Sequence, residues 1–369
     1  MQQRKKTQDV LVFSAQKSKK EKIIVAVPRS NSTIIEFILG SSTSVSKIIH
    51  EPFIDFGYYN SEILSAYKKI STSINADNKA DNKKEGMLLI KEMAHWLIRD
   101  DAYKIFLKSI DEPVILLIKN PYLSIESKIQ KILQGVDRKE RPGLTKLLLT
   151  SLPQRRNKNI QNSRDGLNFF AKKKGYNSWD KLVEKEAIQK RNLAMFSPII
   201  NYFVEKSTED IWGWKDIDKI RQFLEKNKIK YKILEGIDFQ LAPEATIRGL
   251  CETLNINFHR RMLHCSKNKF KKLIEQIQVY SIHWYETMLS SQEIIKPDII
   301  PLSADKFPLF IQKYLSNTAL PIYTRLCFSR HRLNVLDYSI NVKHDRNSFQ
   351  NYKTVDLTYF TVNKHMNYF

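Results

Sequence analysis

Six consecutive residues, Pro28-Arg29-Ser30-Asn31-Ser32-Thr33, have the composition of an anion-binding loop: one cation, three hydroxyls and an amide. They follow the apolar run Ile23-Ile24-Val25-Ala26-Val27 and precede Ile34, Ile35, Ile38 and Leu39 at helical spacing, so the order is strand, loop, helix. Backbone N–H groups at a helix N-terminus, together with Ser/Thr hydroxyls, cradle phosphate oxygens. A Ser or Thr after a strand is equally an ordinary helix cap, and the loop alone leaves both readings open. A second element narrows the choice. The run Val114-Ile115-Leu116-Leu117-Ile118 ends in Lys119-Asn120-Pro121, and Ser127 follows eight residues after Lys119. Proline suits the first turn of a helix, which places Ser127 about two turns in. A cation at a strand end and a hydroxyl on the next helix can hold one phosphate from two sides. The Walker pattern GxxxxGK[ST] is absent, which argues against a P-loop kinase or NTPase.

These elements need a scaffold that gathers strand ends. Apolar runs without polar alternation recur at Ile48-Ile49, Met87-Leu88-Leu89-Ile90 and Tyr231-Lys232-Ile233-Leu234, a pattern suited to strands buried on both faces. The segments between them are long enough for crossover helices. The expected fold class is therefore α/β, a doubly wound parallel sheet flanked by helices, with ligands at the C-terminal edge of the strands. Pro243 followed by Ile247, Leu250, Cys251 and Leu254 reads as an amphipathic helix packed on the core. Residues 1–20 form a basic leader, 21–300 the main domain, and 301–369 a C-terminal extension of no recognisable motif. Within the main domain, 71–85 is a polar surface loop and about 137–215 an insertion, basic and irregular up to residue 174, readable as a helical insertion or a lid.

With 61 Lys and Arg against 39 Asp and Glu, the net charge of +22 favours anionic partners without choosing among nucleic acid, acidic membranes and phosphorylated or sulfated small molecules. No helix-turn-helix, zinc finger or RNA-binding aromatic motif accompanies the charge, which places nucleic acid last. Cys251, Cys265 and Cys327 have no CxxC or zinc spacing, so neither a metal nor a disulfide framework is expected. There is no apolar run of 18 residues and no signal-peptide pattern, and the chain reads as a cytoplasmic protein without a transmembrane segment.

The paired phosphate elements resemble those of the sulfotransferase superfamily. Its 5′-phosphosulfate loop takes forms such as PRSxST, and its 3′-phosphate element has a strand-terminal Arg with a Ser eight positions later. Lys119 and Ser127 reproduce that spacing, with Lys in place of Arg. The charge is kept and the bidentate fork is lost. The chain resembles more closely a branch of sulfotransferase-like P-loop proteins, some members of which carry branched-chain aminotransferase-like names. The matching blocks are Glu51-Pro52-Phe53, Lys91-Glu92-Met93-Ala94-His95, Lys119-Asn120-Pro121, then Pro243-Glu244 through Met262-Leu263 and Trp284-Tyr285. They keep their order over roughly residues 21–290, while 137–215 and the C-terminal tail match weakly or not at all.

The resemblance implies a P-loop type fold and transfer of a sulfuryl group from 3′-phosphoadenosine-5′-phosphosulfate to an acceptor hydroxyl or amine. The product would be adenosine 3′,5′-bisphosphate, and no metal is required. The donor-binding set it implies is Pro28, Arg29, Ser30, Asn31, Ser32, Thr33, Lys119 and Ser127. Glu51 is the first candidate for the general base, from its strand–Glu–Pro–aromatic context, and His95 is the rival, an imidazole able to titrate near neutral pH. Lys91 is the candidate for charge stabilisation at the transferring group. The acceptor is not legible; the basic insertion suits an anionic glycan or lipid head group, or is a solvated lid. The alternatives are a nucleotide- or anion-binding protein on the same fold without turnover and, behind it, a basic nucleic-acid-binding protein.

Overall fold

The computed structural model describes residues 21–52, 87–98, 102–110, 112–136, 144, 147, 162–207, 210–264 and 301–333. Expectations for residues 1–20, 71–85, Phe53, Cys265 and Trp284-Tyr285 lie outside the described residues, as do the basic residues of 148–161. By its contacts the chain divides into Met1–Val335 and Leu336–Phe369; the second unit lies wholly within the expected 301–369 extension and outside the described residues.

The chain forms an α/β fold with a five-stranded, all-parallel sheet flanked by helices. The strands are β1 (Glu21–Ala26), β2 (Val45–His50), β3 (Met87–Met93), β4 (Val114–Ile118) and β5 (Tyr231–Glu235), in the order β2-β3-β1-β4-β5. The helices used below are α1 (Ser32–Gly40), α2 (Ala94–Leu97), α3 (Ala102–Ser109), α4 (Pro121–Gly135), α5 (Ser163–Lys173), α6 (Ser197–Lys206), α7 (Trp214–Lys226), α8 (Gly236–Leu241), α9 (Pro243–Leu254), α10 (Leu309–Tyr314) and α11 (Leu320–Cys327).

The unalternating run of β1 is explained by its place. It is the middle strand, paired with β3 on one side and β4 on the other, and all six of its residues are buried. Successive side chains point to opposite faces. One face carries Ile24, Ala26, Leu89, Ile115, Leu117 and Leu234 against Ile35, Ile38 and Leu39 of α1 and Ile247, Leu250, Cys251 and Leu254 of α9. The 3.6-residue stripe of α9 is thus a core stripe. Pro243 opens that helix and Pro121 opens α4, each in the first turn, where a missing N–H costs nothing.

Part of the expected irregular insertion is ordered helix. Helix α5 is tied to the stretch after it, where Trp179 N donates to Asn168 Oδ1 at 2.9 Å, and that stretch reaches α4 through Trp179 Nε1, which donates to Leu133 O at 3.0 Å. Arg191 donates to both carboxylate oxygens of Glu126, at 2.5 and 2.6 Å. Residues 301–333 contribute Phe307, Ile311, Leu315 and Leu326 to the buried interior. They also cover the open edge of β5. Ile233 N donates to His331 O at 2.9 Å, and Leu333 N donates to Ile233 O at 2.8 Å. Covering an edge strand in this way removes unpaired backbone groups that would otherwise recruit another chain. Among the described residues no helix is long and apolar enough to cross a membrane.

Candidate functional site

Strand register sets the site. Ala26 of β1 stands opposite Met93 of β3 and Leu117 of β4, so residues 27–31, 94–95 and 119–120 emerge together at the C-terminal edge. The switch point of this sheet lies between β1 and β4, because the chain runs from β1 out to β2 and back to β3 on one side, then crosses β1 to reach β4 and β5 on the other. Ligands of open α/β sheets bind in the crevice at such a point.

The Pro28–Thr33 loop is a tight turn held from inside. Ser30 is fully buried, and its Oγ donates to Val27 O at 2.8 Å. Asn31 Nδ2 donates to Gly236 O at 3.1 Å, so the amide ties the loop to the end of β5. Ser32 is buried at the first turn of α1, a turn that holds no acidic residue. Arg29 and Asn31 are both left-handed, with φ of 65° and 68°. Among the described residues six non-glycines have positive φ, and three of them (Arg29, Asn31 and Glu51) belong to the candidate site. Backbone strain of this kind costs on the order of 1 kcal/mol or more per residue and concentrates where function requires a shape.

Arg29 reaches across the crevice. Its Nε donates to Ser127 Oγ at 3.1 Å, joining the loop after β1 to the helix after β4 over 98 positions of sequence. Lys119 lies in the same cluster, 9% exposed. Burial pushes its ammonium down to about 8; Glu235 opposes that fall, Arg29 adds to it, and Glu126 opposes it. Two cations, a helix hydroxyl and the N-terminus of α1 therefore converge. Such a set stabilises a multiply charged anion and nothing apolar.

Glu51 and Lys91 form a second group. His50 stands opposite Lys91 in the sheet, a pairing reached through a register shift between Val45 and Lys47. Glu51 N then donates to Lys91 O at 2.7 Å, and Lys91 Nζ donates to Glu51 Oε1. Lys91 is fully buried, so it is no solvated lysine. Burial would raise the Glu51 carboxyl; Lys91 first, then His50 and Lys128, outweigh it and hold the group below its ordinary value. His95 is the second residue of α2, and it is buried. A Cβ on Gly213, at the start of α7, would come within 2.9 Å of Pro28 Cδ and 3.8 Å of His95 Nδ1. With φ of 76° and this close approach, only glycine fits there.

No family model matches the chain. It is 30% identical over 109 residues to the branched-chain-amino-acid aminotransferase-like protein 2 of Arabidopsis thaliana, a match covering 29% of this chain and 18% of that protein. The chain thus spans under a fifth of that relative's length. Among solved structures it is similar to a sulfotransferase domain from the curacin biosynthetic pathway, at 12% identity and a TM-score of 0.35, over 82% of this chain and 99% of that one.

Several site residues escaped the sequence reading. His50 Nδ1 lies 2.6 Å from Glu36 Oε2, within hydrogen-bond reach. Its Nε2 is 3.5 Å from Glu51 Oε1, so His50 bridges α1 to the Glu51 pair. Lys128, next to Ser127, donates to Ile211 O and adds positive charge near Glu51. Glu235, at the end of β5, is 1% exposed. The signal that could have found it is a carboxylate directly after an apolar strand, at the edge where ligands bind. Among the described residues no group of His, Cys, Asp and Glu is placed to hold a metal ion. Glu36 is wholly buried and its Oε1 has no hydrogen-bond partner among the described residues. Replacing His50 with leucine is expected to cost about 3 kcal/mol of unfolding free energy, since it strands that carboxyl. In urea titrations, adding Glu36→Leu to His50→Leu should recover most of the loss.

Proposed function

We propose that this chain is a sulfotransferase that moves a sulfuryl group from 3′-phosphoadenosine-5′-phosphosulfate to a hydroxyl or amine of its acceptor. The observation that carries this reading is the Arg29–Ser127 bond with Lys119 beside it: cationic and hydroxyl groups from two neighbouring strand ends meet in one place. A donor with phosphates at both ends of its ribose needs such a two-sided site. The motif order from Pro28 to Tyr285 supports the same reading.

In the proposed reaction the acceptor oxygen or nitrogen forms a bond to sulfur while the bond from sulfur to the 5′-phosphate oxygen breaks. Adenosine 3′,5′-bisphosphate leaves with the electron pair of that bond, and the acceptor proton passes to a base. Arg29 and the N-terminus of α1 hold the 5′-phosphosulfate; Lys119 and Ser127 hold the 3′-phosphate. Ser30 and Asn31 shape the loop through Val27 O and Gly236 O. Glu51, kept ionised by Lys91, is the first candidate to take the proton, and His95, beside Pro28, is the second. In this reading Lys91 acts on the reaction through the Glu51 carboxylate that it pairs with.

Isothermal titration of the full chain with adenosine 3′,5′-bisphosphate is expected to show saturable binding. Arg29→Ala should weaken it at least about thirtyfold, as removal of a charged partner enclosed by the bound ligand does. Correctly folded protein that does not bind the bisphosphate would end this reading. A second reading is donor binding without turnover, and the Glu51–Lys91 pair favours it, because a carboxylate so stabilised is a weak base. Acceptor-dependent consumption of the donor, followed by mass spectrometry with Glu51→Gln and His95→Ala, separates the two.

A further inference from the structure

Glu235 touches both halves of the anion site. Its Oε1 accepts the Asn120 N–H at 2.8 Å, and its Oε2 accepts the Ile237 N–H at 2.6 Å. The first contact fixes the end of β4. Asn120 in turn caps α4, its Oδ1 accepting the Tyr122 N–H at 3.0 Å, and α4 carries Ser127. The second contact fixes the turn at Gly236. Gly236 O accepts the Asn31 amide at 3.1 Å, and a Cβ on Gly236 would lie 2.5 Å from Ser30 O, so this turn backs directly on the phosphate loop. The reason is register: Ile118 stands opposite Glu235, which brings Lys119–Asn120 alongside the carboxylate.

We infer that Glu235 is a positioning residue whose carboxylate locks Lys119–Asn120 and the Pro28–Asn31 loop into a single geometry for a ligand phosphorylated at two positions. The inference rests on the donor-binding reading above and deepens it. A carboxylate is the side chain that suits this place, because it alone offers two acceptor oxygens to two backbone N–H groups at once. An amide keeps one acceptor and turns a donor toward the other N–H. The carboxylate also bears on the charge of Lys119, which faces Glu235, Arg29 and Glu126. Glu235 itself faces Asp238, Arg332, Tyr323 and Cys327 as well as Lys119. Burial, then Asp238, raises it to about 7. Anion binding selects the protonated Lys119, so affinity falls as pH rises past about 8. Without the negative charge of Glu235 that fall begins at lower pH.

The test is calorimetric titration of the full chain, above the pH of about 7 at which Glu235 takes up its proton, with two probes, adenosine 3′,5′-bisphosphate and adenosine 5′-monophosphate. For Glu235→Gln we expect bisphosphate affinity to drop roughly tenfold or more, with monophosphate affinity changed less than about threefold. The alkaline loss of bisphosphate binding should move to lower pH. Glu235→Asp keeps the charge but is too short to span both N–H groups, so it should lose affinity while its alkaline limb stays where the wild type has it. If Glu235→Gln does not fold, the Asp variant carries the test through the same two-probe ratio. Wild-type affinities and an unmoved limb in Glu235→Gln would overturn the inference and leave the donor site standing. Equal weakening of both probes with the limb unmoved would also overturn it, as a general loss of structure. A wild-type chain that binds neither probe would overturn both readings.

Discussion

Replacing Lys91 with methionine is expected to lower the unfolding free energy by about 3–5 kcal/mol at neutral pH, the penalty for stranding a buried charge. Lys91 is fully buried, its ammonium donates to Glu51, and Glu51 is itself only 8% exposed. Removing the lysine leaves the carboxylate with His50, at 3.5 Å, and the more distant charge of Lys128. The double variant Lys91→Met with Glu51→Gln should recover most of the loss, because no charge then remains uncompensated. The pH dependence gives a second check. Glu51 sits below its ordinary value of 4.5 in the folded chain. Its contribution is therefore present above that value and is lost as pH falls through the folded one. In Lys91→Met, burial dominates and raises the carboxyl, so the variant's deficit should be largest near neutrality and shrink as acid protonates Glu51. Urea unfolding at several pH values measures both effects. A double variant as unstable as Lys91→Met alone would show that the lysine matters for packing and not for charge.

Gly236→Ala is the second large effect expected. The added methyl would approach Ser30 O to 2.5 Å and Ile118 O to 3.3 Å, and both are backbone atoms that cannot swing aside. Either the Pro28–Thr33 loop or the β5–α8 junction must shift. Overpacking of this kind costs about 1–3 kcal/mol. The functional loss should be larger, because Ser30 lies between Arg29 and Asn31, and displacing binding groups by about 1 Å can cost a hundredfold. Bisphosphate binding is thus expected to fall roughly a hundredfold while the chain still folds. Gly175→Ala is the control. That glycine has φ of 83° but nothing within 4 Å of its added methyl, so it carries backbone strain without a clash. It should lose about 1 kcal/mol of stability and keep its ligand affinity. Equal binding losses in the two variants would mean that Gly236 acts through overall stability alone.

The scaffold was legible because its causes are local. A largely β-branched run without alternation at residues 23–27 suits a strand covered on both faces, and β1 is the buried central strand. Pro121 and Pro243 mark helix starts because proline lacks the N–H that an interior position would need. The eight-residue interval from Lys119 to Ser127 is a strand end plus two helical turns, and the helix that spans it begins at Pro121. Each of these inferences uses residues within a few positions of one another.

The partnerships within the site were not legible, because they depend on which strands become neighbours. Arg29 meets Ser127 only because β4 lies against β1. Lys91 became the buried partner of Glu51 because a shift in the β2–β3 register sets His50 opposite it. The same register logic brought Glu235 to Asn120 and placed residues 331–333 along the edge of β5. A sequence carries no mark that a lysine will be buried; burial follows from the packing of the finished sheet, and it is burial that turns an ordinary charge into one that must be paired. Strand, loop and helix at residues 21–40, and the helix after Pro121, were determined by the sequence on its own. Only the tertiary structure decided that their charges face one another, since strand order and register, not proximity along the chain, set the distances over which charges act.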